Sequence, residues 1–325
     1  MSRPFATAPV RVTVPATSAN LGPGFDAFGL ALARYDEVTA RITDGGLDVE
    51  VTGEGAADLP LDESHLVVRA MRRAFDAYGA QPPGLVVHCT NRIPHGRGLG
   101  SSAAAIVAGV VLARALSGAE DRAGDTPGDR LGGTETDLTL AAELEGHPDN
   151  VAACVLGGFT VAWSEPGVTE AGQPTTRTTA LRLDPAPAIT PVLIVPAGQL
   201  TTEQARRLLP ASVPHRDAAH TAARAALLPY AITERPDLLF TATDDRLHQS
   251  YRAPAMPDSY RILTALRDAG LPAVISGAGP AVLVLATADR KALINALVTE
   301  GGRAIYDIGI DSRGVRGVRL RDSQD

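Results

Sequence analysis

Three glycines at alternate positions, Gly96, Gly98 and Gly100, lie between a strand-like run, Leu85 to Cys89, and an apolar helical run, Ala103 to Ala113. Strand, glycine loop and helix together make a device for holding phosphate. Glycine admits positive φ and lets a ligand approach the backbone with no Cβ in the way. Ser101 and Ser102 fall where the helix begins, so a hydroxyl is expected to cap it. The helix N-terminus then offers unpaired N–H groups and the positive end of its dipole to an anion. The candidate phosphate loop comprises Pro94, His95, Gly96, Arg97, Gly98, Leu99, Gly100, Ser101, Ser102, Ala103 and Ala104. It is not a Walker A loop, which needs Lys and then Ser or Thr after its last glycine. Its Gly-x-Gly-x-Gly spacing also departs from the Gly-x-Gly-x-x-Gly of dinucleotide sites. A glycine turn before an ordinary buried helix has the same local pattern, so other segments must decide.

Four further polar clusters stand between apolar runs. Pro15 to Gly29 follows a strand-like run, and Gly22, Pro23 and Gly24 force a tight loop that displays Asn20 and Asp26. Glu143 to Asn150 is a dense polar run, Glu-Leu-Glu-Gly-His-Pro-Asp-Asn. A Glu on a short helix near a phosphate loop suits Mg²⁺, which takes oxygen ligands and few protein groups where nucleotide phosphates share it. His147, Asp149 and Asn150 can hydrogen-bond a polar substrate. Thr201 to Arg206 and, later, Arg252 bring two arginines, whose planar forks grip a carboxylate through parallel hydrogen bonds. Exposed arginines paired with Glu203 or Asp245 are the plainer reading of the same residues. Ser276-Gly-Ala-Gly-Pro280 is a second glycine turn at a strand end.

The elements that must position these groups follow from periodicity. Val10–Val14, Asp36–Ile42 and Leu47–Val51 alternate as strands. His65 to Tyr78 carries an apolar helical face and is stopped by Gly79. Ser117 to Thr136 reads as an exposed loop, Leu138 to Glu145 as a short helix, and Phe159 to Trp163 as a strand. The polar stretch from Ser164 to Leu181 is taken as a boundary, dividing the chain into domains 1–165 and 166–325. In the second half, strands are expected at Pro191–Val195, Ala273–Ile275 and Val282–Leu285. Helices are expected at Thr202–Leu209, Asp217–Thr233, Ser259–Ala269 and Asp289–Glu300, the last stopped by Gly301-Gly302. Without a strict β-α-β rhythm, this is an α+β pattern of helices on mostly antiparallel sheets.

Composition narrows the class. The 325 residues are 45% hydrophobic and lack a long apolar stretch or an N-terminal signal core, so a cytoplasmic protein with no membrane partner is expected. The net charge of −7 and aromatic content of 4% argue against a nucleic-acid partner. Cys89 and Cys154 each lie in an apolar run and are expected to be buried free thiols.

In their order and content the motifs resemble the GHMP small-molecule kinase superfamily, and within it the homoserine kinases. Pro15 to Gly29, Pro94 to Ala104 and Ser276 to Pro280 correspond to its three ordered motifs. Thr17 to Asp26 and Glu145 to Ala152 are similar to the homoserine kinases in particular. The resemblance implies an N-terminal domain like ribosomal protein S5 domain 2 and a ferredoxin-like C-terminal domain, with ATP and L-homoserine meeting between them. It implies that Asn20 and Asp26 hold the amino and hydroxyl end of the substrate, with His147 and Asn150 as further contacts. It also implies that Thr202 and Arg206 form a Thr-x-x-x-Arg pair, and that Arg206 and Arg252 bind the carboxylate. Ser102 and Glu143 are the expected Mg²⁺ residues, with Glu145 as the substitute. A homodimer is implied as well.

Several relatives use an Asp–Lys pair as base, whereas Asn150 stands here with no Lys nearby. Asn150, Asp26 and Thr202 are therefore the expected catalytic residues, with Asn150 orienting the hydroxyl and no dedicated base. A sibling kinase acting on mevalonate and a non-catalytic sensor of ATP and an amino acid stay open as alternatives.

Overall fold

Two sheets order the molecule, and the computed structural model describes them through residues 5–118, 130–131, 134–168, 174–298 and 303–320. The first lobe runs β1 (Val10–Ala19), β2 (Phe28–Thr43), β3 (Gly46–Gly53), α1 (Leu66–Tyr78), β4 (Gly84–Asn91), α2 (Ser101–Leu116), β5 (Arg130–Leu131), α3 (Glu135–Glu145), α4 (Asp149–Leu156), β6 (Phe159–Val168) and β7 (Pro174–Leu183). The second runs β8 (Val192–Val195), α5 (Thr202–Arg207), α6 (His215–Thr233), α7 (Leu239–Ala242), α8 (Gln249–Arg252), α9 (Pro257–Asp268), β9 (Ala273–Ile275), β10 (Val282–Val284), α10 (Lys291–Val298) and β11 (Ala304–Asp307). The last strand, β12 (Arg316–Arg319), returns to the first sheet.

The first sheet has the order β3-β4-β2-β1-β12-β5, with β6 paired to β2 and β7 to β6. Only β3 and β4 are parallel among its pairs. The register of β1 on β2 shifts between Pro15 and Ala16, where proline brings no N–H to the ladder. That irregularity separates the structural half of β1 from the half leading into the Asn20 loop. Helix α2 is buried along nearly its whole length from Ala103 to Leu116, which is why its sequence is apolar all round. Its one charged residue, Arg114, donates to Asp137 of α3 at 3.0 Å, both groups being almost fully buried.

The second sheet has the order β11-β8-β10-β9 and is antiparallel throughout. With helices between β8 and β9 and between β10 and β11, this is the ferredoxin-like arrangement expected for the C-terminal part. Strands β8, β9 and β10 are buried on both faces, whereas the edge strand β11 is partly exposed. Val192 and Ile194 face a core with Leu263 and Leu266 of α9 and Ile294 of α10. Leu193 and Val195 belong to the larger core that continues into the first lobe. Alternation of period two thus joins two cores through one sheet.

The structure corrects the expected domain division. A cut after residue 165 falls inside β6, and Ser164 to Leu181 is no linker, since β6 and β7 pair from Phe159↔Leu183 to Val168↔Pro174. Repeated β-branched threonines in Thr175–Thr179 suit the hairpin, while Pro166 and Gly167 mask the pattern in sequence. The second lobe is instead inserted between β7 and β12. Helix α3 also starts earlier than Leu138, because Thr134 and Asp137 form a reciprocal capping box. Of the expected loop 117–136, residues 119–129 and 132–133 lie outside the described residues, as do Glu300, Gly301 and Gly302. Both cysteines are buried and free.

Candidate active site

The glycine loop is held by backbone bonds from three sides. Leu99 O accepts from Thr17 N at 3.0 Å, Gly96 O from Leu200 N at 3.1 Å, and Arg97 O from Ala281 N at 3.2 Å. Ser276 Oγ donates to Gly98 O at 2.6 Å. The approach at Gly98 needs glycine: φ is 75°, and an added Cβ would stand 2.1 Å from Ser276 O. Arg97 donates its guanidinium to the carbonyls of Pro196 and Gly198, tying the loop to the exit of β8.

The cap of α2 differs from the sequence expectation. Gly100 is the N-cap, in the left-handed region at φ 67°, and no side chain caps the helix. Glycine takes this conformation without Cβ strain, so neither serine hydroxyl is needed there. Ser102 Oγ donates instead to Glu145 Oε1 at 2.7 Å. The helix end keeps its N–H groups open toward the cavity beside it.

That cavity has a volume of about 330 Å³ and a lining of two chemically different kinds. Val38, Leu59, Leu66 and Val67 supply its apolar lining, and Ser101, Ser102, Glu145, Asn150 and Thr202 its polar lining. Two residues that carry no motif stand at its wall. Asp36, 5% exposed, accepts from Arg92 N at 2.5 Å and Ile93 N at 2.8 Å and so sets the entry to the loop; burial raises its pKa against those bonds. His65, 3% exposed, has an Nδ1 with no hydrogen-bond partner, and burial lowers its pKa.

A second, open groove shares Ser102, Glu145 and Thr202 with the cavity and continues along His147, Glu203, Arg206 and Arg207. Burial raises the Glu145 pKa, against the Ser102 hydrogen bond and the His147 charge. Glu143 is placed elsewhere: it is exposed and pairs with Arg73 at 3.3 Å, lining neither space. The expected Mg²⁺ residue Glu143 thus lies away from both spaces while its substitute Glu145 lines both, because residues two apart on a helix point roughly 200° apart. His147 Nδ1 lies 2.8 Å from Asp149 Oδ1. Burial pulls the His147 pKa down, but that bond and the charges of Asp149 and Glu145 outweigh it and leave it raised.

The loop after β1, which reaches Arg206 of this groove through Asp26, is strained. Asn20, Leu21 and Asp26 have φ of 67°, 47° and 58°, a region that Asn and Asp tolerate better than Leu does. Asn20 is anchored at both ends of its amide: Oδ1 accepts from Asp26 N at 3.0 Å and Nδ2 donates to Gly277 O at 3.0 Å. Asp26 in turn takes a two-pronged bond from Arg206, at 3.1 and 2.5 Å. Phe25 lies between the two arginines, with the Arg206 and Arg252 guanidiniums 5.5 and 5.3 Å from its ring.

Arg252 is 2% exposed, yet among the described residues no carboxylate bonds to it. Its Nη1 reaches Gly277 O at 3.2 Å and His248 Nδ1 at 3.3 Å, and its Nε has no partner. Burial, then the Arg206 charge, lowers its pKa to about 10. Asn150 accepts the Thr17 hydroxyl on Oδ1 at 2.8 Å, which leaves its Nδ2 donor for a ligand. Thr202 opens α5, exposed, after Thr201 caps that helix. The arrangement can hold polyphosphate at the α2 end, a small carboxylate near Arg252, and a hydroxyl between them.

Two family models match the chain: the GHMP kinases N terminal domain over residues 65–158 and the GHMP kinases C terminal domain over residues 230–304. The homoserine kinase of Streptomyces coelicolor is 53% identical over 322 residues, covering 99% of this chain and 98% of that one. The homoserine kinase of Rhodococcus erythropolis is 51% identical over 279 residues, 86% of each chain. The crystal structure of homoserine kinase from Cytophaga hutchinsonii superposes with a TM-score of 0.77 at 26% identity, covering 98% of this chain and 100% of that one.

Proposed function

The chain belongs to the GHMP kinases, and within them to the homoserine kinases; on that premise we propose that its cleft transfers the γ-phosphoryl group of ATP to the hydroxyl of L-homoserine, giving O-phospho-L-homoserine. The observation that carries the carboxylate assignment is Arg252, a buried cation with an unpartnered Nε and, among the described residues, no bonded carboxylate, whose Nη1 reaches the glycine turn at Gly277. A buried charge demands a counter-charge, so a substrate carboxylate fits there.

ATP would lay its phosphates over Gly96 to Ala104, where open N–H groups and the helix dipole favour anions. Its base would take the apolar lining, where the free His65 Nδ1 offers one polar contact. Arg206 and Arg252 would share the homoserine carboxylate, and Asp26 would take its ammonium once the Arg206 fork loosens. Asn150 would donate Nδ2 to the substrate hydroxyl. Asp26 and Asp149 are already engaged by Arg206 and His147, which supports a reaction without a dedicated protein base. A hydroxyl held this way has a phosphate oxygen as its proton acceptor. Catalysis is then chiefly positioning and charge stabilisation.

Ser102 and Glu145 fit Mg²⁺. They offer a hydroxyl and a carboxylate oxygen 2.7 Å apart beside the phosphate loop, and this ion takes one or two protein oxygens when phosphates complete its shell. Among the described residues no cluster of three or more His, Cys, Asp or Glu competes for it. Bound there, the ion would neutralise charge on the β- and γ-phosphates.

The same reading makes the protein a cytoplasmic homodimer without nucleic-acid or membrane partners. Its net charge of −7 argues against a nucleic-acid partner, and among the described residues no helix is long and apolar enough to cross a membrane. The deciding measurement is ADP release with MgATP and L-homoserine beside D-homoserine, L-serine, L-threonine and mevalonate. Turnover confined mainly to L-homoserine is expected. Preference for another alcohol would keep the kinase and remove the roles given to Arg206, Arg252 and Asp26.

A further inference from the structure

We infer that His248 is a positioning residue for the carboxylate site, its neutral ring accepting a hydrogen bond from Arg252 with one nitrogen and fastening the Asn20–Asp26 loop with the other. The inference rests on the homoserine reading of the cleft. His248 lines neither cavity and is 0% exposed, and its role is exerted through Arg252 and the Gly22 carbonyl.

Its tautomer follows from its partners. Nε2 lies 2.7 Å from Gly22 O, and a carbonyl only accepts, so Nε2 carries the proton. Nδ1 lies 3.3 Å from Arg252 Nη1, and a guanidinium only donates, so Nδ1 carries the lone pair. Both requirements select the same neutral Nε2–H form. An imidazolium would satisfy Gly22 but present a proton and a charge to Arg252.

The surroundings hold the ring in this role. His248 and Arg252 are one helical turn apart, so the acceptor is carried on the element that carries the arginine. Asp245 fixes the start of that turn by accepting from the N–H groups of Leu247, His248 and Gln249 at 2.8, 3.1 and 2.9 Å. Phe25, from the opposite lobe, packs on the imidazole with ring centroids 5.2 Å apart. The charged groups facing the ring are Asp245 and Arg252 on its own segment, Asp26 from the loop and, beyond Phe25, Arg206 from α5. Burial lowers the His248 pKa, Asp245 raises it and Arg252 lowers it, and the outcome is a lowered pKa.

Two substitutions divide the ring's bonds. His248→Asn keeps an acceptor near the Nδ1 position and loses the bond to Gly22, whereas His248→Gln keeps a donor near Nε2 and loses the acceptor for Arg252. We expect His248→Gln to raise the homoserine KM about tenfold or more, with the ATP KM within about twofold of the wild type. His248→Asn should stay within about threefold for homoserine even where its Tm falls. Equal homoserine effects in the two variants, or homoserine and ATP KM rising together, would overturn the role. A reading on the unmodified enzyme covers variants that do not fold. In protein with ¹⁵N-labelled histidine, one ring should show the neutral Nε2–H signature persisting below pH 6.5; a charged ring or the Nδ1–H tautomer at His248 overturns the inference. This spectroscopic result stands apart from turnover, so absence of homoserine phosphorylation would fail the functional reading and not the tautomer assignment.

Discussion

Asn20 and Arg252 donate to one carbonyl oxygen, that of Gly277, at 3.0 and 3.2 Å. The first comes from the loop after β1, the second from α8, and the acceptor from the glycine turn after β9. One oxygen therefore registers the substrate loop, the carboxylate arginine and the turn that also touches Gly98. A shift in any one of them is felt by the others.

Arg252→Lys and Arg206→Lys should each raise the homoserine KM about tenfold to a hundredfold and leave the ATP KM within about twofold, because an ammonium cannot reproduce the planar fork. Steady-state kinetics with each substrate varied in turn checks this. Equal rises for both substrates would remove the carboxylate role.

Glu145→Gln should lower kcat by about a hundredfold or more and raise the Mg²⁺ concentration needed for half-maximal rate, whereas Glu143→Gln should change neither by more than about twofold. The stability effect of Glu145→Gln has the opposite direction. Burial raises the Glu145 pKa from 4.5, so its charged form destabilises the fold above the raised value and that cost is absent below 4.5. The variant should therefore melt higher than the wild type at alkaline pH, and the gain should vanish in acid. A variant that is both less active and less stable at every pH contradicts this.

Gly98→Ala should abolish ATP binding or folding, since its Cβ would meet Ser276 O at 2.1 Å. Gly96→Ala also has a positive φ, but the nearest atom to its Cβ is 3.5 Å away. It should cost about 1–2 kcal/mol, the left-handed strain alone. Urea denaturation and ATP titration of the two variants separate close approach from backbone conformation.

His147 gains its raised pKa from Asp149 and Glu145 against burial. A histidine whose folded pKa is raised stabilises most below its unfolded value and loses that contribution as pH rises through the folded value. The Tm difference between wild type and His147→Gln should thus be widest below pH 6.5 and shrink as pH increases past the raised pKa. A constant difference across that range would show that packing, not charge, holds the ring.

Asp137→Ala should destabilise by about 3–5 kcal/mol, because it takes the carboxylate from a buried guanidinium. Asp137 also accepts from Tyr78 and completes the Thr134 capping box. Neither substrate KM should change, since none of these groups lines the cleft. Thermal melts together with kinetics on the folded fraction test both halves.

Residues with uncommon chemistry in tight loops were legible in the sequence. The glycine loop, the Asn20–Asp26 turn and the two arginines stand out by type, and the structure links them by hydrogen bonds: Asn20 and Arg252 meet at Gly277 O, Asp26 pairs with Arg206, and Ser276 of the same turn bonds Gly98 O. Glu143 and Glu145 could not be told apart, because which face of α3 turns inward depends on its packing. Periodicity says little in a helix where Ala141, Ala142 and Leu140 are all buried. The capping preference for serine misled at Ser101, because Gly100 takes the cap in the left-handed region with Thr17 packed where a Cβ would stand. Asp36 and His65 sit in ordinary strand and helix contexts, and only the cavity reveals their unsatisfied or bent-inward polarity. His248 was visible as a letter but not as a bond.

The return of β12 to β1, with Val10 opposite Arg319, bears on how the polypeptide is made. During vectorial synthesis β1 and β2 emerge early, yet the other edge of β1 has no partner until the entire inserted lobe has been produced. An open strand edge is a template for pairing with other chains. A polypeptide cut before Arg316 would retain every residue proposed to touch ATP or homoserine and still leave that edge bare. Its expected failure is aggregation rather than loss of chemistry.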